Sequence, residues 1–385
     1  MDKVIYLIYP AVLIYLLAGA KLYKRGSWND GFMSLEQTRL LQGFAAVIVM
    51  CHHLSQKVSA HWIDRRYYQP GMEAFVEVGY LCVSIFFFCS GYGLYKSYKS
   101  KDNYLKGFVK KRILPIILSF YVSEVIYLIP RVLLGEKMNP LKILAYLTGI
   151  RQSNPNAWYS IILPLFYLFF YVMFKRCKSD SSAILGTTVL VFVYMILATF
   201  VNHNDYLLRG EWWFNSVHLF PIGLIFARHE EKIVGHIKNY YWIYLPLSFI
   251  LSIVLYYAAL YATFTVSYYY EEFSTVFAGW NTVSHRWICL VVQMLATMMV
   301  VFFFIIFRMK VKIGNPALRF VGNNTLEFYL IHGLFVHLFS YSFEDMGPSL
   351  YYIKYPPLFV LVVTVLSVLG TVLFRKLLVV LKIKK

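Results

Sequence analysis

The residues with the most chemical potential lie in one stretch, Ser34 to Ser55. Arg39 and Gln42 stand at one end of an apolar run there, and His52 and His53 stand near the other. An imidazole inside a hydrocarbon-facing helix is costly, so a pair of them calls for a reason. Read as a helix, Gln42 and His53 return to within roughly 20° of the same face, separated by about 16 Å along the axis. Arg39 lies a turn further from His53 and roughly 40° off that line, whereas His52 points about 100° away. Gly43, Ala45 and Ala46 let a neighbouring helix or a ligand approach closely. A base for general acid–base chemistry needs a tunable pKa and a substrate that can reach it in a dry cavity, and His53 is the candidate. A helix-packing histidine and a snorkelling arginine account for the same residues without any chemistry.

The elements that must position these groups are membrane helices. Of the 385 residues, 59% are hydrophobic, 19% aromatic and 15% charged, against about 25% charged residues in an ordinary soluble domain. Repeated apolar runs near the length of a bilayer crossing make the chain polytopic and all-α. The 33 Tyr and 32 Phe suit helix ends at headgroup level. The five cysteines, Cys51, Cys82, Cys89, Cys177 and Cys289, show neither metal nor disulfide spacing. A formal charge of +18 would suit nucleic acid, but its basic residues cluster in short segments flanking apolar runs, so nucleic acid is not the expected partner.

Eleven spans are predicted, at about residues 4–20, 38–56, 73–95, 113–130, 157–174, 182–201, 213–227, 240–262, 287–307, 320–341 and 357–374. The connection 131–156 holds a short amphipathic segment around Leu141–Gly149, and an aromatic loop with Tyr268–Tyr270 follows the eighth span. If the spans alternate, segments 20–39, 95–112, 175–181, 228–238, 308–319 and 375–385 share one side. They carry 26 of the 37 Lys and Arg residues. The positive-inside rule makes that side cytoplasmic, with the N-terminus outside, the C-terminus inside and the cell membrane as the location. No internal repeat or low-complexity tract is visible.

Gln42-Gly-Phe-Ala-Ala-Val-Ile-Val-Met-Cys-His-His-Leu54 resembles the first core span of the acyltransferase-3 membrane family, in which a basic residue precedes a histidine in a small-and-aliphatic helix. On that register His53 takes the family's catalytic position. The basic position falls on Gln42, a departure, and Arg39 is the cation one turn away. Val83-Ser-Ile-Phe-Phe-Phe-Cys-Ser-Gly-Tyr-Gly93 is similar to the family's Phe-Phe-x-x-Ser-Gly segment, with Ser84 where many members have Asp. Alone, Ser90-Gly91 reads as a helix-packing seam. Lys110-Lys-Arg-Ile-Leu-Pro115 resembles the basic entry to the next span and equally suits an ordinary membrane anchor. Val321-Gly-Asn-Asn-Thr-Leu-Glu-Phe-Tyr-Leu-Ile-His332 resembles the late family segment. There Thr325 and His332 share a face, and Glu327 lies about 140° from His332. Asn156-Ala-Trp-Tyr159 with Tyr167, and Trp213 to Ala227, look like further family spans.

The resemblance covers about residues 34–375 and implies an integral-membrane domain over 34–385. Residues 1–33 are expected to form an added span and cytoplasmic connector, with no soluble domain appended. It implies transfer of an acyl group, most simply acetyl, from acetyl-CoA or another acyl-CoA as co-substrate, with no permanently bound cofactor and no metal. The expected acceptor is a hydroxyl of a carbohydrate or lipid-linked glycan. His53 would be the base, Ser90 or His332 an oxyanion donor, and Arg39, Gln42, Lys111 and Arg112 the groups that hold the CoA phosphates. Either the chain acylates the acceptor itself or a separate extracytoplasmic transferase completes the step. Besides its substrates, the expected surroundings are membrane lipids. A rival reading is a transporter that uses Glu124, Glu327, His218 and His332 as an intramembrane proton relay.

Overall fold

The computed structural model describes residues 3–204, 208–266 and 276–384; the aromatic loop at Tyr268–Tyr270 lies outside them. The architecture is an all-α bundle, and each of the eleven expected spans coincides with a helix. In chain order these are α1 (Ile8–Leu17), α2 (Leu35–Ser55), α3 (Gly79–Ser100), α4 (Leu114–Leu133), α5 (Pro140–Leu147), α6 (Tyr159–Arg176) and α7 (Asp180–Thr199). They continue with α8 (Leu219–Asn239), α9 (Tyr241–Val266), α10 (Trp280–Arg308), α11 (Pro316–Asn323), α12 (Thr325–Phe339) and α13 (Pro356–Val380). The short amphipathic segment is α5, and α11 is an added half-length element leading into α12. Among the described residues the only named strands are β1 (Lys21–Leu22) and β2 (Val311–Lys312), which pair antiparallel.

Seven of these helices, α3, α4, α6, α7, α9, α10 and α13, are long and apolar enough to cross a bilayer on their own. The others differ for physical reasons. α2 has 21 residues, but it carries Glu36, Arg39, His52 and His53, and most of it is buried by other helices rather than turned to lipid. α12 has 15 residues and is likewise enclosed. The seventh span begins later than expected. Residues 211–213 form a 3-10 turn, α8 starts only at Leu219, and its backbone breaks at His229. The non-helical stretch ahead of α8 has backbone groups that an apolar environment would leave unpaired, so it belongs where protein or a water-filled cavity covers it.

Ion pairs tie five of the six basic segments to one another at one end of the bundle, and the sixth to α12. Lys96 meets Glu230 at 2.5 Å, Lys99 meets Asp180 at 3.1 Å, Lys238 meets Asp30 at 3.1 Å, Arg319 meets Glu36 at 2.9 Å and Lys384 meets Glu327 at 2.5 Å. Apart from Lys384–Glu327, whose carboxylate is buried, such exposed pairs add little stability, but they fix which loops share an end. The connector 20–34 docks there too, since Asn29 donates to the Arg308 carbonyl at 2.9 Å and the Arg308 guanidinium donates to the Phe32 carbonyl. At the opposite end, Lys57 reaches Ser342, Gln69 donates to the Lys354 carbonyl at 2.8 Å, and Arg209 lies 3.6 Å from Glu344.

Two close helix crossings set the core. A Cβ added at Gly43 would sit 2.7 Å from both the Gly322 nitrogen and the Leu318 carbonyl oxygen, so α2 packs backbone to backbone on α11. A Cβ at Gly91 would run into the Phe220 carbonyl, and one at Gly223 into that of Phe88. The Ser90-Gly91 step is therefore the seam between α3 and α8. Gly91→Leu should force these helices apart and destabilise the fold by about 1–3 kcal/mol. Gly93→Ala, with open space around its Cβ, should melt like the parent in detergent. Equal melting of the two variants would contradict this crossing.

Candidate active site

α2 delivers His52 and His53 to the end of the bundle opposite the basic segments, where a cavity of about 580 Å³ opens between loops. Ser34 caps the start of α2 by accepting from the Gln37 amide, and the Gln37 side chain donates to the Ile313 carbonyl at 2.9 Å. These contacts hold the rotation of α2, and with it the directions of both imidazoles. His52 turns to the start of α3, where its Nδ1 lies 3.1 Å from the Phe75 carbonyl oxygen. It packs on Gly79 at a point where any larger residue would collide with the ring. His53 turns the other way, toward α12.

There the structure joins two of the residues singled out in the sequence. His53 Nδ1 lies 2.8 Å from His332 Nε2, and the two rings stack with centroids 5.0 Å apart and planes 6° apart. His332 Nδ1 lies 2.9 Å from the Phe328 carbonyl oxygen one turn back in α12. A carbonyl only accepts, so His332 carries its proton on Nδ1 and, when neutral, offers a lone pair at Nε2. His53 must then donate from Nδ1, which leaves the lone pair of its Nε2 as the free base. His332 is buried while His53 lines the cavity.

A second histidine of α12 closes the same region. His337 Nε2 is 2.8 Å from Glu344 Oε1, and Asn156 Nδ2 is 3.3 Å from that nitrogen. Burial by itself raises the Glu344 carboxyl. The charge and hydrogen bond of His337, with Lys57 and Arg209 nearby, outweigh it and hold the group well below the usual carboxylate range. The stabilisation from this network is therefore present at neutral pH and above the normal carboxylate range, and is lost as pH falls through the depressed value. Glu344 holds a φ of 48°, a left-handed conformation costly for a side chain of its size and maintained here by its ion pairs. Asn156 and Gln56 line the cavity beside His53 and Glu344.

Buried anchors behind the cavity hold its walls. Glu124 of α4 accepts from the Ser153 amide at 2.6 Å, the Ser153 hydroxyl at 2.8 Å and the Asn154 amide at 3.1 Å. Asn154 in turn donates to the Leu330 carbonyl of α12 at 2.9 Å. The loop that presents Asn156 and Trp158 is thus pinned to two helices. Arg286 of α10 donates to the Thr199 and Val201 carbonyls at 2.8 and 2.9 Å. It satisfies the end of α7 and fixes the departure of the loop beyond it.

The remaining expected site residues lie elsewhere. Ser90 does not line the cavity. Its hydroxyl is 3.2 Å from that of Tyr159, within the aromatic layer behind Tyr329, so it is not where an oxyanion next to His53 would form. Gln42 is half-buried along α2. Arg39 is exposed in a groove between α2 and α11, 3.5 Å from Asn323 Oδ1. Lys111 and Arg112 are exposed on the turn Val109–Ile113 ahead of α4, with Arg112 over the Tyr104 ring. Of the phosphate-holding candidates, the cations Arg39, Lys111 and Arg112 are exposed at the basic end, whereas Gln42 is half-buried.

The groups of the rival relay are each occupied locally. Glu124 holds its loop, Glu327 pairs with Lys384, and His218 Nε2 lies 3.2 Å from the Met294 carbonyl oxygen. Thr325, on the same face as His332, returns its hydroxyl to the Gly322 carbonyl at 3.0 Å. Among the described residues no group of three or more His, Cys, Asp or Glu side chains is arranged to hold a metal ion.

Sequence reasoning did not find His337, Glu344, Lys57, Arg209 or Gln56. Four of the five lie in loops or at helix ends without periodicity. A usable signal was the concentration of acidic and amide residues in segments at the end poor in Lys and Arg.

The fold and this histidine constellation were compared with known proteins. No curated protein and no solved structure matches the chain. A family model described as an acyltransferase domain matches residues 37–376, from the start of α2 to the last helix. The chain belongs to this acyltransferase-3 family of membrane acyltransferases.

Proposed function

We propose that the protein is an O-acyltransferase that moves an acyl group, most simply acetyl, from acyl-CoA to a hydroxyl of a cell-surface carbohydrate or lipid-linked glycan. The observation that carries this reading is the hydrogen bond from His53 to His332 at the cavity wall. It leaves His53 Nε2 as a lone pair facing the space where an acceptor can bind. The acceptor hydroxyl loses its proton to that nitrogen as its oxygen attacks the thioester carbonyl. Collapse of the tetrahedral adduct breaks the carbon–sulfur bond, and the departing thiolate takes the proton back from His53. His332 steadies the imidazolium by accepting the Nδ1 hydrogen bond throughout, the role that an orienting partner plays in acyl transfer generally. The side-chain amides of Asn156 and Gln56 are the donors available for the developing oxyanion.

The charge asymmetry supports a plasma-membrane orientation with the basic end, Arg39, Lys111 and Arg112 in the cytoplasm and the histidine cavity facing out. CoA phosphates would then meet exposed cations, and the acyl thioester would be presented from below to an acceptor arriving from outside. About 21 Å of helix axis lies between Arg39 and His53, a gap for an extended acyl-pantetheine arm to cover.

In membranes given radiolabelled acetyl-CoA, His53→Ala should lower acceptor labelling by at least about a hundredfold with the protein still folded. His332→Ala should cost about tenfold or more, because His53 keeps its nitrogen but loses its orientation. Labelling at the parental level in His53→Ala would remove the base from the mechanism. Arg39→Ala and Lys111→Ala should each weaken acetyl-CoA binding to the solubilised protein. Unchanged binding in both would move the phosphate site elsewhere.

A further inference from the structure

The space around His53 is divided. Beside the cavity of about 580 Å³ lies a smaller one of about 160 Å³. His53, Gln56, Trp62, Asn156 and Glu344 line both, so the two meet at the candidate base. Only the larger one extends inward from there. It reaches Val49, one turn or about 6 Å below His53 on α2, together with Val83 of α3 and Tyr329 of α12. The smaller one is completed by Lys57, His337 and Tyr341. These lie beyond His53 and His332, where α2 and α12 run outward.

The size and the wall of the smaller cavity are both restrictive. A cavity near 150 Å³ holds one benzene-sized ring, so about 160 Å³ leaves room for one six-membered ring and little more. Its wall is polar and has bonding capacity to spare. The Lys57 ammonium has three N–H donors. It meets the Ser342 carbonyl at 3.5 Å and the Ser342 hydroxyl at 3.4 Å, both at the outer edge of hydrogen-bond range. Glu344 holds His337 through Oε1 and keeps 18% of its side chain open, and its second oxygen has lone pairs for a further donor. The half-buried amides of Gln56 and Asn156 both donate and accept. Trp62, 52% exposed, adds a flat apolar face.

Donors and acceptors around one aromatic plane suit a pyranose, whose hydroxyls ring its edge and whose C–H bonds form its faces. We propose, building on the acyl-transfer reading above, that the smaller cavity is the acceptor subsite and takes a single sugar ring. Trp62 stacks on a ring face, Lys57 and Glu344 bond the hydroxyls, and the inward arm of the larger cavity takes the acyl thioester. The two substrates then reach His53 from opposite sides, and the acceptor is recognised through the one ring that is acylated.

Binding can be measured without turnover. The purified full chain is titrated calorimetrically with the methyl glycosides of glucose, galactose, mannose and N-acetylglucosamine, and then with a disaccharide of the one that binds best. At least one glycoside should bind with a dissociation constant of about 1 mM, the scale for a ligand this small, and a second ring should add less than about tenfold. Trp62→Ala and Lys57→Met should each weaken the single ring about tenfold, with acetyl-CoA binding at the parental level. Trp212→Ala, whose indole lines only the larger cavity, should bind it like the parent. No binding of any glycoside, a gain of tenfold or more from the second ring, or equal losses in Trp62→Ala and Trp212→Ala would overturn the proposal. The first two are read on the unmutated protein even if a variant fails to fold. Ring binding without acetyl transfer would count against the acyl-transfer reading alone. Parental labelling of the membrane acceptor in both Trp62→Ala and Lys57→Met would count against the subsite alone.

Discussion

The structure depends on keeping a few polar groups usable inside an apolar bundle. An isolated imidazole at the end of α2 would be an unpaired polar group among hydrocarbon and aromatic side chains, at a cost of a few kcal/mol. The His53–His332–Phe328 chain of hydrogen bonds removes that cost for every nitrogen but one. What remains unsatisfied is the nitrogen assigned to the proposed proton transfer. The fold around it serves the same end. α2 and α12 are the polar, short or charged helices, and they sit inside the bundle while the long apolar helices surround them.

The bundle has two chemically distinct ends, and each is built by different means. At the basic end, ion pairs join segments far apart in sequence, and exposed cations remain on the surface. At the histidine end, the anchors are buried. Glu124 holds the loop before α6, Arg286 holds the end of α7, and Glu344 is gripped by three cations or hydrogen-bond donors. Exposed pairs tolerate solvent screening and add little. Buried charged anchors bind their loops tightly, since breaking one leaves an uncompensated charge in an apolar setting. A site held to within fractions of an ångström requires such anchors around the candidate base.

Much of this was legible in the sequence, because its physics is local. Apolar run length located the helices, the flanking Lys and Arg grouped the loops, and helical geometry separated the direction of His53 from that of His52. The late Tyr-Leu-Ile-His332 segment was recognisable, but its meeting with His53 was not, since 279 residues separate the two. Ser90 was ambiguous for a physical reason: a small residue beside glycine serves close helix packing as readily as catalysis, and here Gly91 is the contact with α8. The delayed start of α8 was hidden because aromatic residues 212–214 look apolar enough to cross a membrane. The network of Lys57, Arg209, His337 and Glu344 depends on loops with no periodicity, brought together only when the bundle closes.

The central claim is that His53 presents a deprotonated Nε2 to the cavity because His332 fixes its tautomer. Nitrogen-15 NMR of histidine-labelled protein in membranes, with the signals assigned by His53→Gln and His332→Gln variants, reads this directly. The account predicts that neutral His53 carries its proton on Nδ1 and that His332→Gln lets the other tautomer appear. A His53 protonated on Nε2 in the unmutated protein, or a tautomer indifferent to residue 332, would contradict it.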